Sequence, residues 1–327
     1  MGCIMQNVGE EYEELISVVI PIYNTEQYIG KCLNSILSND YSNLEVVCVN
    51  DGSTDSSLSI IHEYEKKDSR IRIIDIPNGG VSNARNIGVN VSTGNIIAFI
   101  DSDDFVHPQY FSIMYHFLKK YKVDMVASMY SEYNNERIPG RITTEGISWK
   151  QHGLLDLDFS VYRTCWGKLY KRELIKDVSF TPVTTGEDVI YNKELFWKNK
   201  NKKAIVINTI IYYYQQRSDS SVHTSSLFML KYRRFNVYLE KIELSKNNDE
   251  REYWLSPLIE NALGFRFHAQ NSRDIEFVKK FDMLAKSSLR IINNYKLFNL
   301  KKRIVYNLYV EWPLLYRFIA RACLKNK

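Results

Sequence analysis

Four short apolar runs, each ending in polar sequence or leading into it and separated by stretches of helical periodicity, constrain this chain more than any other feature. Ile16-Ser17-Val18-Val19-Ile20 opens the series, and Leu44 to Val49, Ile71 to Ile76 and Asn95 to Ile100 follow. Between the first two, Ile29, Cys32, Leu33, Ile36 and Leu37 recur at the three- and four-residue spacing of one helix face. After the second, Ser53, Thr54 or Asp55 offers an N-cap for a helix burying Leu58, Ile61 and Tyr64. Strands that are apolar throughout and alternate with helices predict an α/β fold, a parallel sheet covered on both sides. Ligands bind such sheets beyond the carboxyl ends of the strands. Three of the runs continue there into Pro21-Ile22-Tyr23-Asn24, Asn50-Asp51-Gly52-Ser53 and Asp101-Ser102-Asp103-Asp104.

The pattern divides the chain into a loose arm (1–15), a nucleotide-type subdomain (16–125), an irregular subdomain (126–225) and a helical, basic region (226–327). The arm carries Glu10, Glu11, Glu13 and Glu14 where a secretory signal would have basic residues and an apolar run. The five cysteines are scattered, with no Cys-x-x-Cys pair, so neither a disulfide framework nor a zinc site is expected and a cytoplasmic location is the default. The formal charge is +5, and Lys301, Lys302, Arg303, Arg317, Arg321, Lys325 and Lys327 are opposed in the tail by Glu311 alone. A body without its own basic excess argues against nucleic acid as a partner. In the tail, those cations interleave with Leu297, Phe298, Trp312, Leu314, Leu315 and Phe318. Two readings of 297–327 stand side by side: contact with an anionic membrane surface at its cytoplasmic face, or a helical lid or homo-oligomer contact.

Among nucleotide-binding chemistries, two are excluded at once. The first strand runs into Pro21-Ile22-Tyr23-Asn24 rather than Gly-x-Gly-x-x-Gly, and no Gly-x-x-x-x-Gly-Lys-Ser/Thr loop is present. Acidic residues stand at the strand ends instead. Asp101 and Asp103, one residue apart, suit a hard cation such as Mg²⁺ or Mn²⁺ that shares its ligands with substrate phosphates. The alternative for this run is an Asx-turn capping a helix near Pro108, and Asp51 taken alone reads equally as a turn residue.

The order of these segments carries more than any one of them. Pro21-x-Tyr23-Asn24, Asn50-Asp51-Gly52-Ser53-Thr54-Asp55, Asn78-Gly79-Gly80-Val81-Ser82-Asn83-Ala84-Arg85-Asn86-Ile87-Gly88 and Phe99-Ile100-Asp101-Ser102-Asp103-Asp104 together resemble the family-2 inverting glycosyltransferases of GT-A fold. The likeness covers Ile16 to about Leu118, and Lys168-Leu169-Tyr170 and Gly186-Glu187-Asp188 look like the family's acceptor-side motifs. The resemblance implies transfer of a sugar from a nucleoside-diphosphate sugar, most readily a UDP-sugar, to a glycan or lipid-linked glycan in surface polysaccharide assembly. It places Pro21, Tyr23 and Asn24 around base and ribose, Asp51 on the base N–H, and Arg85 beside base and diphosphate. Asp101 would touch the ribose, Ser102 would line the same pocket, and Asp103 would hold the Mn²⁺ or Mg²⁺ that bridges the phosphates. Asp188 matches the general base.

On the acceptor side, Trp166, Lys168 and Glu187 are candidates, with core packing the alternative for Trp166. His223 is a candidate third metal ligand or a solvated loop residue, and Arg217 a candidate diphosphate contact or a surface arginine. The chain has Asn39-Asp40 where many members have Gln-Thr. It lacks the Gln-x-x-Arg-Trp of processive synthases, which favours one sugar per encounter. Two other classes remain as alternatives: a non-catalytic sugar-nucleotide-binding or scaffold subunit, and a nucleotidyltransferase making sugar nucleotides.

Overall fold

Successive side chains of a strand point to opposite faces, and β1 (Ile16–Ile22), buried along its whole length, feeds two cores at once. Val18, Ile20 and Ile22 join the cluster that also holds Cys32, Leu33 and Ile36 of α1 (Ile29–Leu37), Ile61 of α2 (Ser57–Glu65) and Phe111 and Met114 of α4 (Tyr110–Lys120). Val19 points the other way, into the cluster of Ile97 and Phe99 with Tyr191 and Leu195. A third, small cluster sets Ala84 of α3 (Val81–Val91) against Val47 and Val49. Helices therefore cover both faces, as the apolar runs predict.

The computed structural model describes residues 14–133, 138–157, 161, 163–183, 186–216 and 237–255. Its strands include β2 (Leu44–Asp51), β3 (Ile71–Ile76), β4 (Ile96–Phe99), β5 (Phe105–Val106), β6 (Met125–Glu132), β7 (Trp149–Gly153), β8 (Lys168–Lys171) and β9 (Lys203–Tyr214). They form one sheet in the order β3-β2-β1-β4-β8-β6-β9-β5, with β7 on β9. β3, β2, β1 and β4 are parallel, and β8 is inserted antiparallel between β4 and β6. Strand order reverses between β1 and β4, so the crevice beyond their carboxyl ends is the topological switch point where doubly wound sheets bind ligands. Two further helices among the described residues of this unit are a short α5 (Arg172–Ile175) and α6 (Glu187–Lys198).

Two boundaries matter for the site. β1 continues to Ile22 and β2 to Asp51, so Pro21 and Asp51 are strand residues at the sheet's rim rather than turn residues beyond it. The capping alternative for Asp101–Asp104 is overturned. The Asp104 N–H closes a turn on the Asp101 carbonyl, and β5 then separates that turn from α4. Asn39 is buried and joins the end of α1 to the start of α4, its Nδ2 donating to the His107 carbonyl at 2.8 Å.

The chain forms two compact units, Met1–Thr224 and Ser225–Lys327. In the second, residues 237–244 and 248–255 are helical. Residues 1–13, Arg217, His223 and the basic tail 297–327 lie outside the described residues, as do Cys3 and Cys323. Cys32, Cys48 and Cys165 are free and buried. Among the described residues no helix is long and apolar enough to cross a membrane.

Candidate active site

At the rim, the loop after β1 is tied to the loop after β2. The Asn24 N–H donates to Ser53 Oγ at 3.1 Å, and Asn24 Oδ1 accepts from the Thr54 N–H at 2.8 Å. Farther along, the Thr25 N–H donates to Ser57 Oγ at 2.8 Å, and the Glu26 N–H to Asp55 Oδ2 at 3.0 Å. Asn24 itself adopts a left-handed conformation with φ 49°, one of the few side chains that tolerates it. Tyr23 is left about half exposed beside this zipper, and Pro21 is buried. Asp51 is buried too, and both its oxygens are used: Oδ1 accepts from the Gly79 N–H at 2.7 Å and Oδ2 from the Gly80 N–H at 2.9 Å. The turn at Gly52 needs glycine twice over, with φ 68° and room for a Cβ only 2.7 Å from the Asn78 nitrogen.

The Gly79-Gly80 segment leads directly into α3, which carries Arg85. Its side chain is 3% exposed and gathers three carboxylates. Nη2 donates to Asp101 Oδ1 at 2.7 Å, and Nη1 to Glu187 Oε1 at 2.9 Å and Asp188 Oδ1 at 2.8 Å. Glu187 and Asp188 open α6 after Gly186, whose φ of 80° makes the turn into the helix. Neighbours at a helix start diverge by about 100°, yet one guanidinium nitrogen reaches both because Arg85 comes from outside the helix. Asp188 Oδ2 accepts the Cys165 N–H at 3.1 Å, so both oxygens of this carboxylate are oriented.

Electrostatics follow from crowding acids in a partly dry cleft. Burial pushes Glu187 up to about 7, with Asp188 adding to the effect and Arg85 opposing it. Burial also raises Asp101 above its ordinary range against the pull of Arg85, and Asp188 adds to the rise. Asp104 is raised well above its usual value by burial, then by Asp103 and Asp101, although Tyr212 and Gln215 donate to it. For Arg85, burial works toward a lower value, and the surrounding carboxylates, Asp188 foremost, outweigh it. Ser102 is buried within the turn and Asp103 is part-exposed.

Two groups that hold this site, Tyr212 and Asn192, are not among the residues the sequence reading names, and they work beside two that are, Trp166 and Lys168. Tyr212 Oη donates to Asp104 Oδ2 at 2.6 Å and accepts the Asp101 N–H at 3.3 Å, pinning the acidic turn from β9. Trp166 stacks on Tyr212 with ring centroids 4.4 Å apart and packs edge-on against Tyr130. It is 6% exposed, the burial that the core-packing alternative requires. Lys168 is buried as well and faces the loop before β8. Asn192 had a sequence signal: it lies four residues after Asp188 on α6, one turn along the same face.

A doubly wound sheet with carboxylates at its switch point defines an α/β class, and comparison with known proteins narrows it. Residues 17–179 match the family described as glycosyl transferase family 2. Glycosyltransferase GlyG of Streptococcus pneumoniae is 31% identical over 224 residues, covering 64% of this chain and 74% of GlyG. Glycosyltransferase GlyA of the same organism is 34% identical over 220 residues, also 64% of this chain, and the match spans 31% of GlyA's length. The crystal structure of S. aureus TarS 1-349 in complex with UDP-GlcNAc shares the fold, with TM-score 0.71 and 20% identity, covering 95% of this chain and 92% of that one. The chain belongs to glycosyl transferase family 2 and has the GT-A fold.

Proposed function

We propose that this chain transfers one sugar from a nucleoside-diphosphate sugar, most readily a UDP-sugar, to a hydroxyl of a glycan or lipid-linked glycan, with inversion. The observation that carries this reading is the shared guanidinium of Arg85. It holds Asp101, from the strand end matched to the donor motif, and Asp188, matched to the base, in a single cleft. Donor and acceptor chemistry therefore meet at the switch point. UDP-GlcNAc in TarS, a protein of the same fold, is consistent with a UDP-sugar here. The surface-glycan setting rests on family likeness, a weaker warrant than the site.

In this reading Asp188 is the general base. Each carboxylate oxygen keeps a lone pair after accepting one bond from Arg85 or Cys165, and one of these takes the proton of the acceptor hydroxyl in the transition state. The acceptor oxygen bonds to the anomeric carbon as the bond to the β-phosphate oxygen breaks, and the electron pair leaves with the nucleoside diphosphate. Entry opposite the leaving group inverts the centre. Arg85 holds Asp188 in place, and Glu187 flanks it on the acceptor side. Pro21, Tyr23 and Asn24 line the base and ribose pocket with Ser102, and Asp51 meets the base through the lone pairs its two glycine amides leave free.

The donor set fits a divalent cation in part. Asp101, Asp103 and Asp104 are hard oxygen donors close enough to perturb one another. Among the described residues no group of three or more His, Cys, Asp or Glu side chains is placed to hold a metal ion. Mg²⁺ sites in general draw several ligands from substrate phosphates and water. Asp103 would hold Mn²⁺ or Mg²⁺, with His223 the further candidate, and the ion would stabilise the charge developing on the departing diphosphate.

A thermal-shift panel of UDP-, GDP- and dTDP-sugars, with and without Mn²⁺, tests the reading because a ligand that binds the folded state raises its midpoint. A UDP-sugar should give the largest rise, and Asp103→Asn should lose the Mn²⁺-dependent part of it. No response to any nucleotide sugar in the unsubstituted protein would reject the proposal.

A further inference from the structure

Behind Asp188 lies a layer of buried polar groups that this chemistry leaves unused. Lys168 is 2% exposed, and its ammonium spends its three N–H bonds on uncharged oxygens. They are the Thr164 carbonyl at 2.6 Å, Thr164 Oγ1 at 3.1 Å and the Trp166 carbonyl at 3.2 Å. No N–H remains for an acceptor sugar, the role that the family likeness suggests for this lysine. A buried cation whose N–H bonds all go to uncharged oxygens is costly, and burial pulls Lys168 down to about 8 against the opposing pull of Cys165 and Asp188. Asn192 grips the same Thr164 carbonyl through Nδ2 at 2.6 Å, and Tyr170 Oη donates to the Cys165 carbonyl at 2.9 Å. Three consecutive carbonyls are thus held from the interior.

The consequence runs through one peptide unit. The Thr164 carbonyl and the Cys165 N–H belong to the same planar amide, and in a trans peptide they point in opposite directions. Among the described residues there is no cis peptide bond. Fixing the Thr164 oxygen on Lys168 and Asn192 therefore aims the Cys165 N–H outward, onto Asp188 Oδ2. An ammonium at the carbonyl end also polarises the amide and strengthens its N–H as a donor. We propose that Lys168 is a positioning residue for the general base, orienting the Asp188 carboxylate through the Thr164–Cys165 peptide with Asn192 as its partner. The proposal rests on the assignment of Asp188 as that base.

Two readouts separate the proposal from the assignment beneath it. In protein labelled with ¹⁵N-cysteine, the Cys165 amide is identified by its loss in Cys165→Ser. It should shift in Lys168→Met and move back toward its original position in Lys168→Gln, which restores two donors. Turnover is followed as nucleoside-diphosphate release from the nucleotide sugar that the thermal-shift panel selects, with water as acceptor. Lys168→Met should lower kcat by about 10²-fold, the scale of a misplaced catalytic group, and leave donor KM within about two-fold because ground-state binding is untouched. Lys168→Gln should recover part of kcat. Ser128→Ala, which removes a bond to the nearby Gly167 carbonyl that the Ser128 N–H still holds, should leave kcat unchanged. An unmoved Cys165 amide in Lys168→Met overturns the proposal, and so does a moved amide with wild-type kcat. Full turnover in Asp188→Asn would instead overturn the base, whatever the amide shows.

Discussion

Replacing Arg85 by methionine removes the guanidinium that Asp101, Glu187 and Asp188 share, and keeps an aliphatic chain beside the Phe180 ring. Because the arginine side chain is only 3% exposed, solvent does little to screen what is lost. Removing one partner of a buried ion pair typically costs about 3–5 kcal/mol. The cost should not triple for three acids, since crowded carboxylates can take up protons instead of staying charged. Glu187, already pushed up to about 7, and Asp101, already raised, take those protons first. The loss in Arg85→Met should therefore be about 3–5 kcal/mol at pH 8 and clearly smaller at pH 5. Urea unfolding at the two pH values, followed by tryptophan fluorescence, measures it. A loss below about 1 kcal/mol at pH 8, the scale of an exposed pair, would refute the reasoning. Equal losses at both pH values would refute it as well.

Glu187→Gln should flatten the pH dependence of stability. A carboxylate whose folded value is raised to about 7 keeps a proton that the unfolded chain releases, so wild-type stability falls as pH rises from about 4.5 to 7. The glutamine can still accept from Arg85 without ionising, and urea midpoints at pH 5 and pH 8 should lie closer together than in the wild type; an unchanged gap would count against the shift. Gly88→Ala tests the packing of α3 on the sheet, since an added Cβ would lie 2.3 Å from Val19 Cγ1. Overpacking should destabilise by about 1–3 kcal/mol in the same unfolding assay, whereas helix propensity alone would give a gain of about 1 kcal/mol.

β1 and β2 were legible because they are buried on both faces: Ile16–Ile22 and Leu44–Asp51 read as apolar runs wherever they are placed. The second half hid its strands. Trp149-Lys150-Gln151-His152-Gly153 is a largely exposed strand paired only to β9, so no core pressure shaped its sequence. Lys168 reads as an acceptor-side candidate and is buried at the middle of the sheet, between β4 and β6. In the site, Asp51, Asp101 and Asp188 could be picked out, but not what they touch. Arg85 and Asp188 are 103 residues apart in sequence. The hold of Asp51 on the Gly79 and Gly80 amides depends on how one loop folds over a strand end. Local patterns name the elements, while convergence of distant loops on one guanidinium is a property of the assembled sheet.

The account stands on Asp188 taking a proton from the acceptor. Asp188→Asn keeps the shape and the capacity to accept from Arg85 Nη1, and removes the basicity. Measured side by side with the wild type, it should bind the nucleoside diphosphate with unchanged affinity and release none from the nucleotide sugar above the uncatalysed rate. Turnover at the wild-type rate in Asp188→Asn, with nucleotide affinity intact, would contradict the account.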